Sequence, residues 1–282
     1  MKLGAVSYRN TKPLVYNLPA AGVLPGERGT PRIQAGDGID LVFDLPSRLA
    51  DRLAAGELDV ALIPSIEFFQ NPDYTIISDA CIGCRGPVFS VKLFARKPVR
   101  EIKTLALDEG SRTSAALIQI LLRQRHNIRP QLLPLPIGSP WEHSPADGIL
   151  VIGDRAMHPP ASEFVEIWDL GDVWCRWAEL PFVFAMWVAR PGINTTDLAA
   201  KLSQARDQGV AHLTNIARAE ASRYELSYDQ CLRYLRDNLH FTLGPRELAG
   251  LRLFYDHAVS LDLAPAGLEF RLQPAPTSHA KD

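Results

Sequence analysis

The apolar positions of this chain fall into two kinds of run, and their alternation orders its elements. Short runs of apolar or β-branched residues, closed by Gly, Pro, Asn, Asp or Ser, predict strands over residues 3–7, 39–43, 58–63, 74–77, 88–95, 104–107, 131–135, 148–152, 164–168 and 182–189. Between them, apolar residues recur every three or four positions and predict helices over 47–55, 65–69, 111–126, 171–179, 196–219, 228–239 and 245–261. Ser227 with Gln230 fits a capping box at the start of one of these. Residues 22–38 are rich in Gly and Pro and read as loop, as do 134–145 around Trp141. The tail from about Pro274 reads as disordered.

Strands that alternate with helices place the chain in the α/β class with mostly parallel sheets. Ligands in such sheets bind beyond the carboxyl ends of the strands. Four of those ends carry chemistry here. After the first strand, Pro13 fits an opening helical turn with Asn10 or Thr11 as its cap. Ser65 follows the strand over 58–63, and Gly153-Asp154-Arg155 closes the strand over 148–152. The richest corner follows 104–107, where Ser111, Arg112, Thr113 and Ser114 crowd one helix start. Unpaired N–H groups and about half a positive elementary charge make such an end a ready anion site. A cap needs only one Ser or Thr, so three hydroxyls and a cation point to anion binding. The apolar strands over 88–95 and 182–189 read as crossings between two lobes. Lobe 1 is then residues 1–92 with 188–282, completed by the C-terminal helices, and lobe 2 is 93–187. A cleft between lobes collects all four corners and suits a small anionic ligand.

Composition narrows the choice. A length of 282 residues suits two compact units or one large one. A net charge of −2 with no basic stripe argues against a nucleic-acid partner. The apolar run over 182–189 is less than half a membrane span, and no charged n-region with an apolar h-region opens the chain. No membrane partner is therefore expected, no signal peptide, and a cytoplasmic location. Cys81 and Cys84 have redox or metal-like spacing, but no second pair of Cys or His completes a site. They read as small buried residues in a turn before a strand, and no metal is assigned. None of the seven histidines falls in a motif at a predicted strand end.

The motifs together resemble the menaquinone-biosynthesis family of chorismate dehydratases from the futalosine route. They are Ser7-Tyr8-Arg9-Asn10-Thr11-Lys12-Pro13-Leu14, Gly86-Pro87-Val88-Phe89-Ser90-Val91, Leu107-Asp108 with Ser111-Arg112-Thr113-Ser114, Ile152-Gly153-Asp154-Arg155-Ala156, and Leu180-Pro181-Phe182-Val183-Phe184-Ala185. The resemblance covers nearly the whole chain, with the five blocks in the family's order. It departs at Arg9, commonly apolar in the family, and at Ala178-Glu179, where Thr-Gly often precedes Leu-Pro. The sister synthases of 1,4-dihydroxy-6-naphthoate carry Ile-His-Glu where this chain has Ile152-Gly153-Asp154.

The resemblance implies a two-lobed, type 2 periplasmic-binding-protein-like α/β fold used as an enzyme, with a ligand cleft between the lobes. It implies a lyase that dehydrates chorismate, a small dicarboxylate, to 3-[(1-carboxyvinyl)oxy]benzoate without metal or organic cofactor. Ser111, Thr113 and Ser114 are candidates to hold one carboxylate, and Ser65 and Ser90 the other. Arg112 either pairs with a carboxylate or faces solvent. Ser7, Tyr8, Gly86 and Gly153 complete the expected binding set. Asn10 and Asp154 are the catalytic candidates, Asn10 either on the departing hydroxyl or fixing the pose of the ring, and Asp154 as base unless a substrate carboxylate takes the proton. Tyr8, Phe89, Trp141 and Phe184 are candidates for the apolar wall. A cytosolic anion-binding protein or sensor is one alternative, because fold does not fix function, and the sister 1,4-dihydroxy-6-naphthoate synthase is another.

Overall fold

The computed structural model describes residues 1–18, 21–25, 31–34, 38–158 and 164–273. The expected tail from Pro274 lies outside these. In chain order come β1 (Lys2–Val6), a 3-10 turn over Arg9–Val15, β2 (Ala21–Pro25), β3 (Pro31–Gln34), β4 (Asp40–Asp44) and α1 (Pro46–Ala54). Next are β5 (Val60–Pro64), α2 (Ser65–Phe68), β6 (Thr75–Cys84), β7 (Val91–Ala95), β8 (Thr104–Asp108) and α3 (Arg112–His126). They are followed by β9 (Gln131–Leu135), β10 (Gly148–Ile152), β11 (Glu166–Asp169), α4 (Leu170–Ala178) and β12 (Phe182–Ala189). The last stretch holds α5 (Thr196–Ala211), α6 (Leu213–Glu220), α7 (Tyr228–Arg233), β13 (His240–Thr242) and α8 (Pro245–Ser260).

These strands form two sheets, one of eight in the order β13-β6-β12-β5-β1-β4-β3-β2 and one of five in the order β11-β7-β10-β8-β9. The sheets are mixed, not mostly parallel as expected. Parallel pairing is confined to β4–β1–β5 and β9–β8–β10, and the other pairings are antiparallel. The unit β4–α1–β5 is a crossover that straddles β1, which pairs with both strands. β12 returns from the smaller sheet and slots antiparallel between β5 and β6, and all eight of its residues are buried. β7 lies wholly in the smaller sheet and β12 wholly in the larger. The chain therefore changes sheet in 85–90 and in 179–181, just before those strands. One apolar core runs through both sheets, and a satellite around Phe94 and Trp141 sits in the smaller one.

Other differences have physical causes. Part of the expected loop over 22–38 is β2 and β3, an antiparallel pair. Cys81 and Cys84 lie inside β6 and are buried there, not in a turn. The expected helix over 196–219 breaks at His212, whose ring stacks on Tyr16 with centroids 5.0 Å apart. Gly209 marks a close approach just before that break, since a Cβ there would lie 2.0 Å from the Pro13 carbonyl oxygen. Helix α5 thus presses directly on the 3-10 turn that carries Asn10. The last turn of the expected helix over 228–239 is a π-helix, Tyr234–Asn238.

Candidate active site

The carboxyl ends of β1, β5, β8 and β10 converge on a cleft between the two sheets that is open to solvent on one side. Its apolar wall is Val6, Pro64, Ile82, Phe184 and Ala185 from the larger sheet, facing Val91 and Ile152 from the smaller and Val88 from the segment that changes sheet. Its polar groups are Tyr8 and Asn10 on one side and Ser90, Ser111, Thr113, Ser114 and Gly153 on the other. No Lys, Arg or His lines it among the described residues. An anion here would meet hydroxyls, backbone N–H groups and a helix end, and no side-chain cation.

The start of α3 is built as the hydroxyl pattern requires. Ser111 is the cap, its Oγ accepting the Ser114 N–H at 3.3 Å and donating to Ser114 Oγ at 2.7 Å. Thr113 Oγ1 reaches across the cleft and accepts the Ile66 N–H of α2 at 3.3 Å. Arg112 neither faces solvent alone nor enters the cleft. Its guanidinium pairs with Asp51 of α1 at 2.9 Å and Glu67 of α2 at 3.2 Å, tying the smaller sheet's helix to the larger sheet's. Burial raises the Glu67 carboxyl pKa, and the Arg112 charge opposes that rise.

Asn10 sits inside the 3-10 turn, whose N-cap is Tyr8, so it is not the cap that the sequence suggested. Its Oδ1 is buried with no hydrogen-bond partner among the described residues. A buried acceptor that no protein group satisfies can take a hydrogen bond from a molecule in the cleft, and leaving it unpaired costs about 1–3 kcal/mol.

Gly153 adopts φ +69°, a conformation that favours glycine, and the Tyr8 ring lies over it. Tyr8 is held among Gly110, Gly153 and the Asp108 carboxylate. Burial first, and then the Asp108 charge, push its phenol pKa well above the usual range, with Asp154 adding to the rise. Asp108 itself is buried, accepts the Gly110 N–H at 3.0 Å and pairs with Arg155. Its pKa is raised by burial against the pull of Arg155.

Five expected site residues are not in the lining. Ser65 is fully buried and its Oγ donates to the Val183 carbonyl at 2.7 Å, which locks α2 onto β12. Ser7 is exposed, with its backbone N–H on the Asp44 carbonyl. Gly86 lies in the segment that changes sheet, its carbonyl packed against Gly171, and Arg112 is in the ion pairs above. Asp154 follows the lining residue Gly153 and is close enough for its charge to act on the phenols of Tyr8 and Tyr234. Of the expected apolar wall, Tyr8 and Phe184 line the cleft. Trp141 is buried against Phe94 in the satellite core. Phe89 holds φ +68° in the crossing segment, where the Asp169 carboxylate accepts the N–H groups of Val88 at 2.9 Å and Phe89 at 2.6 Å.

One residue next to the cleft had no sequence signal. Tyr234, on the π-turn, donates its hydroxyl to Ser90 Oγ at 3.1 Å and hydrogen-bonds the Asn10 side chain. Its position in an ordinary helical pattern gave no hint that it reaches a site some 140 residues earlier in the chain. Among the described residues, no group of three or more His, Cys, Asp or Glu is arranged to hold a metal ion, and no helix is long and apolar enough to cross a membrane.

The model of a family described as menaquinone biosynthesis matches residues 1–260. The chain belongs to this family. A chorismate dehydratase of Thermus thermophilus is 29% identical over 252 residues, covering 81% of this chain and 90% of that protein. Among solved structures, a protein from Archaeoglobus fulgidus superposes with a TM-score of 0.61 at 13% identity, over 93% of this chain and 97% of that one. The periplasmic aliphatic sulphonate binding protein of Escherichia coli gives 0.55 at 13% identity, over 100% and 99%. A Candida albicans protein described as having the generic periplasmic binding protein fold gives 0.53 at 11% identity, over 97% and 98%. This member of the menaquinone-biosynthesis family therefore has the periplasmic-binding-protein fold, an α/β architecture that the sequence motifs had implied.

Proposed function

We propose that this protein is a lyase that removes water from chorismate to give 3-[(1-carboxyvinyl)oxy]benzoate. The futalosine route implied by the resemblance, the cytoplasmic location and the division into lobes belong to the same proposal. The observation that carries it is the meeting of Asn10, Ser90 and the Ser111–Ser114 helix start in one cleft with an apolar wall. A flat ring with two carboxylates fits such a cleft. One carboxylate lies at the first turn of α3, on the N–H groups of residues 112 and 113 and the Ser114 hydroxyl. The ring lies against Phe184, Ile82 and Val91.

The reaction breaks the C–H bond at the ring carbon bearing the enolpyruvyl ether and the C–O bond of the neighbouring hydroxyl, which leaves as water. Aromatisation supplies much of the driving force, so the protein's task is chiefly positioning and polarisation. Asn10 accepts a hydrogen bond from the departing hydroxyl. Either the Asp154 carboxylate or a carboxylate of chorismate itself takes the proton, and Asp154→Asn separates the two. Near-normal turnover assigns the proton to the substrate, and a loss of about a hundredfold or more assigns it to Asp154.

The test is incubation with chorismate, following loss of its diene absorbance and the appearance of a product one water lighter. A cyclic futalosine derivative, offered side by side, is expected to stay unchanged. Chorismate bound without product would favour a receptor, and conversion of the futalosine derivative alone would favour the sister synthase.

A further inference from the structure

The hydroxyl of Tyr234 sits at a junction that decides what the cleft offers a ligand. The residue is buried and does not itself line the cleft. It reaches the cleft wall because α7 continues into a π-turn, Tyr234–Asn238, and such turns recur at functional sites. Its ring lies 6.0 Å from that of Phe89, on the segment that changes sheet.

The proton inventory at this junction fixes a polarity. Tyr234 Oη has one proton, which it donates to Ser90 Oγ at 3.1 Å. What Asn10 brings to the same oxygen must then be an N–H, because the phenol has no second proton to give. The Asn10 amide is thereby oriented with its Oδ1 away from Tyr234, and that oxygen is the buried acceptor without a partner among the described residues. Ser90 Oγ, having accepted from Tyr234, keeps its own proton, whose protein acceptor is the Val88 carbonyl at a long 3.5 Å. A cleft ligand is a better acceptor than that contact, and a hydroxyl that accepts one hydrogen bond donates the next more strongly.

We propose that Tyr234 is a positioning residue for the dehydration, setting Ser90 as hydrogen-bond donor and Asn10 as acceptor toward the departing hydroxyl. That pair is what a leaving hydroxyl needs: a donor to its oxygen as the C–O bond breaks and an acceptor that holds its hydrogen. Burial keeps the phenol protonated through the working pH range, so the pattern does not invert. The assignment rests on the dehydratase function proposed for the same cleft.

The experiment is steady-state kinetics on chorismate with Tyr234→Phe, which removes one oxygen and leaves the ring packing in place. With wild type active, the expected result is a fall in kcat of about tenfold or more with KM within about threefold, and an unchanged melting temperature. In the Ser90→Ala/Asn10→Ala background the same change is expected to alter kcat by less than about twofold, because the positioning role runs through those two groups. Replacing Tyr234 with a more acidic fluorinated tyrosine keeps the shape. It is expected to add an alkaline fall to the pH profile of kcat as the phenol loses its donor proton. Full kcat in Tyr234→Phe, an equal loss in the double-variant background, or an unmoved pH profile would each overturn the assignment. A wild-type protein inert toward chorismate would sink the dehydratase reading itself, before Tyr234 enters.

Discussion

Replacing Asn10 with Ala takes away a buried acceptor of the cleft that has no protein partner among the described residues and leaves the 3-10 turn without a polar anchor on Tyr234. The expected outcome is a fall in kcat of about a hundredfold, with the fold intact by circular dichroism, on the scale seen when one polarising group is lost. Arg112 makes the opposite case. It sits in the middle of the hydroxyl-rich motif, yet its guanidinium is half-exposed and engaged by Asp51 and Glu67. Arg112→Ala is expected to change KM for chorismate by less than about threefold and to cost under about 1 kcal/mol of stability, as partly exposed ion pairs do. A loss of binding near a hundredfold would put the guanidinium back on a substrate carboxylate. Residue identity alone made Arg112 a ligand candidate; only the positions of α1 and α2 reveal its acidic partners. Ser65 misleads for the same reason, since its acceptor, the Val183 carbonyl, lies 118 residues away.

Among the elements, those the sequence made legible are the ones whose pattern is local. The strand over Phe182–Ala189 and the helix after Ser111 were readable because burial on both faces and a hydroxyl cap leave marks within a few residues. The sequence shows only four residues of β6 as strand, because Ser78 and Asp79 interrupt its apolar run. Their partners lie on α5, where Ser203 Oγ donates to Asp79 Oδ1 at 2.6 Å and Arg206 pairs with Asp79 at 2.9 Å. Burial pushes the Asp79 carboxyl pKa up, but the Ser203 and Arg206 contacts outweigh it and leave the pKa below the usual range. A carboxyl lowered in the folded state stabilises above its unfolded pKa of about 3.9 and loses that contribution as pH falls through the folded value. The melting temperature of wild type is therefore expected to fall across this acid range more steeply than that of Asp79→Asn. Arg206→Ala also strands the Phe241 carbonyl, and is expected to cost about 2 kcal/mol, roughly 3 °C of melting temperature for a chain of this length. Glu179 offers a gain instead. It closes α4 at φ +56°, a left-handed conformation that favours glycine. Glu179→Gly is expected to raise stability by about 1 kcal/mol in a denaturant titration, while the Arg246 bond to its carbonyl survives.

On the scale of the whole molecule, two sheets share one core and face each other across a cleft that no Lys, Arg or His lines among the described residues, so the proposed dianion would meet neutral donors there. The order of strands and helices announced that architecture, because each strand end with its hydroxyl or Asn recurs at the same place in the unit. It could not announce which strands would pair antiparallel, since β12 and β13 join the larger sheet after long excursions. Nor could it announce Tyr234, whose place depends on how the C-terminal helices fold back over the cleft. The most direct measurement is a crystal structure with 3-[(1-carboxyvinyl)oxy]benzoate bound. Its ring is expected against Phe184, with one carboxylate on the first turn of α3 and the carbon that lost its hydroxyl facing Asn10 and Ser90. Product seated anywhere else, or a carboxylate held by Arg112 in place of the helix start, would contradict the proposed site.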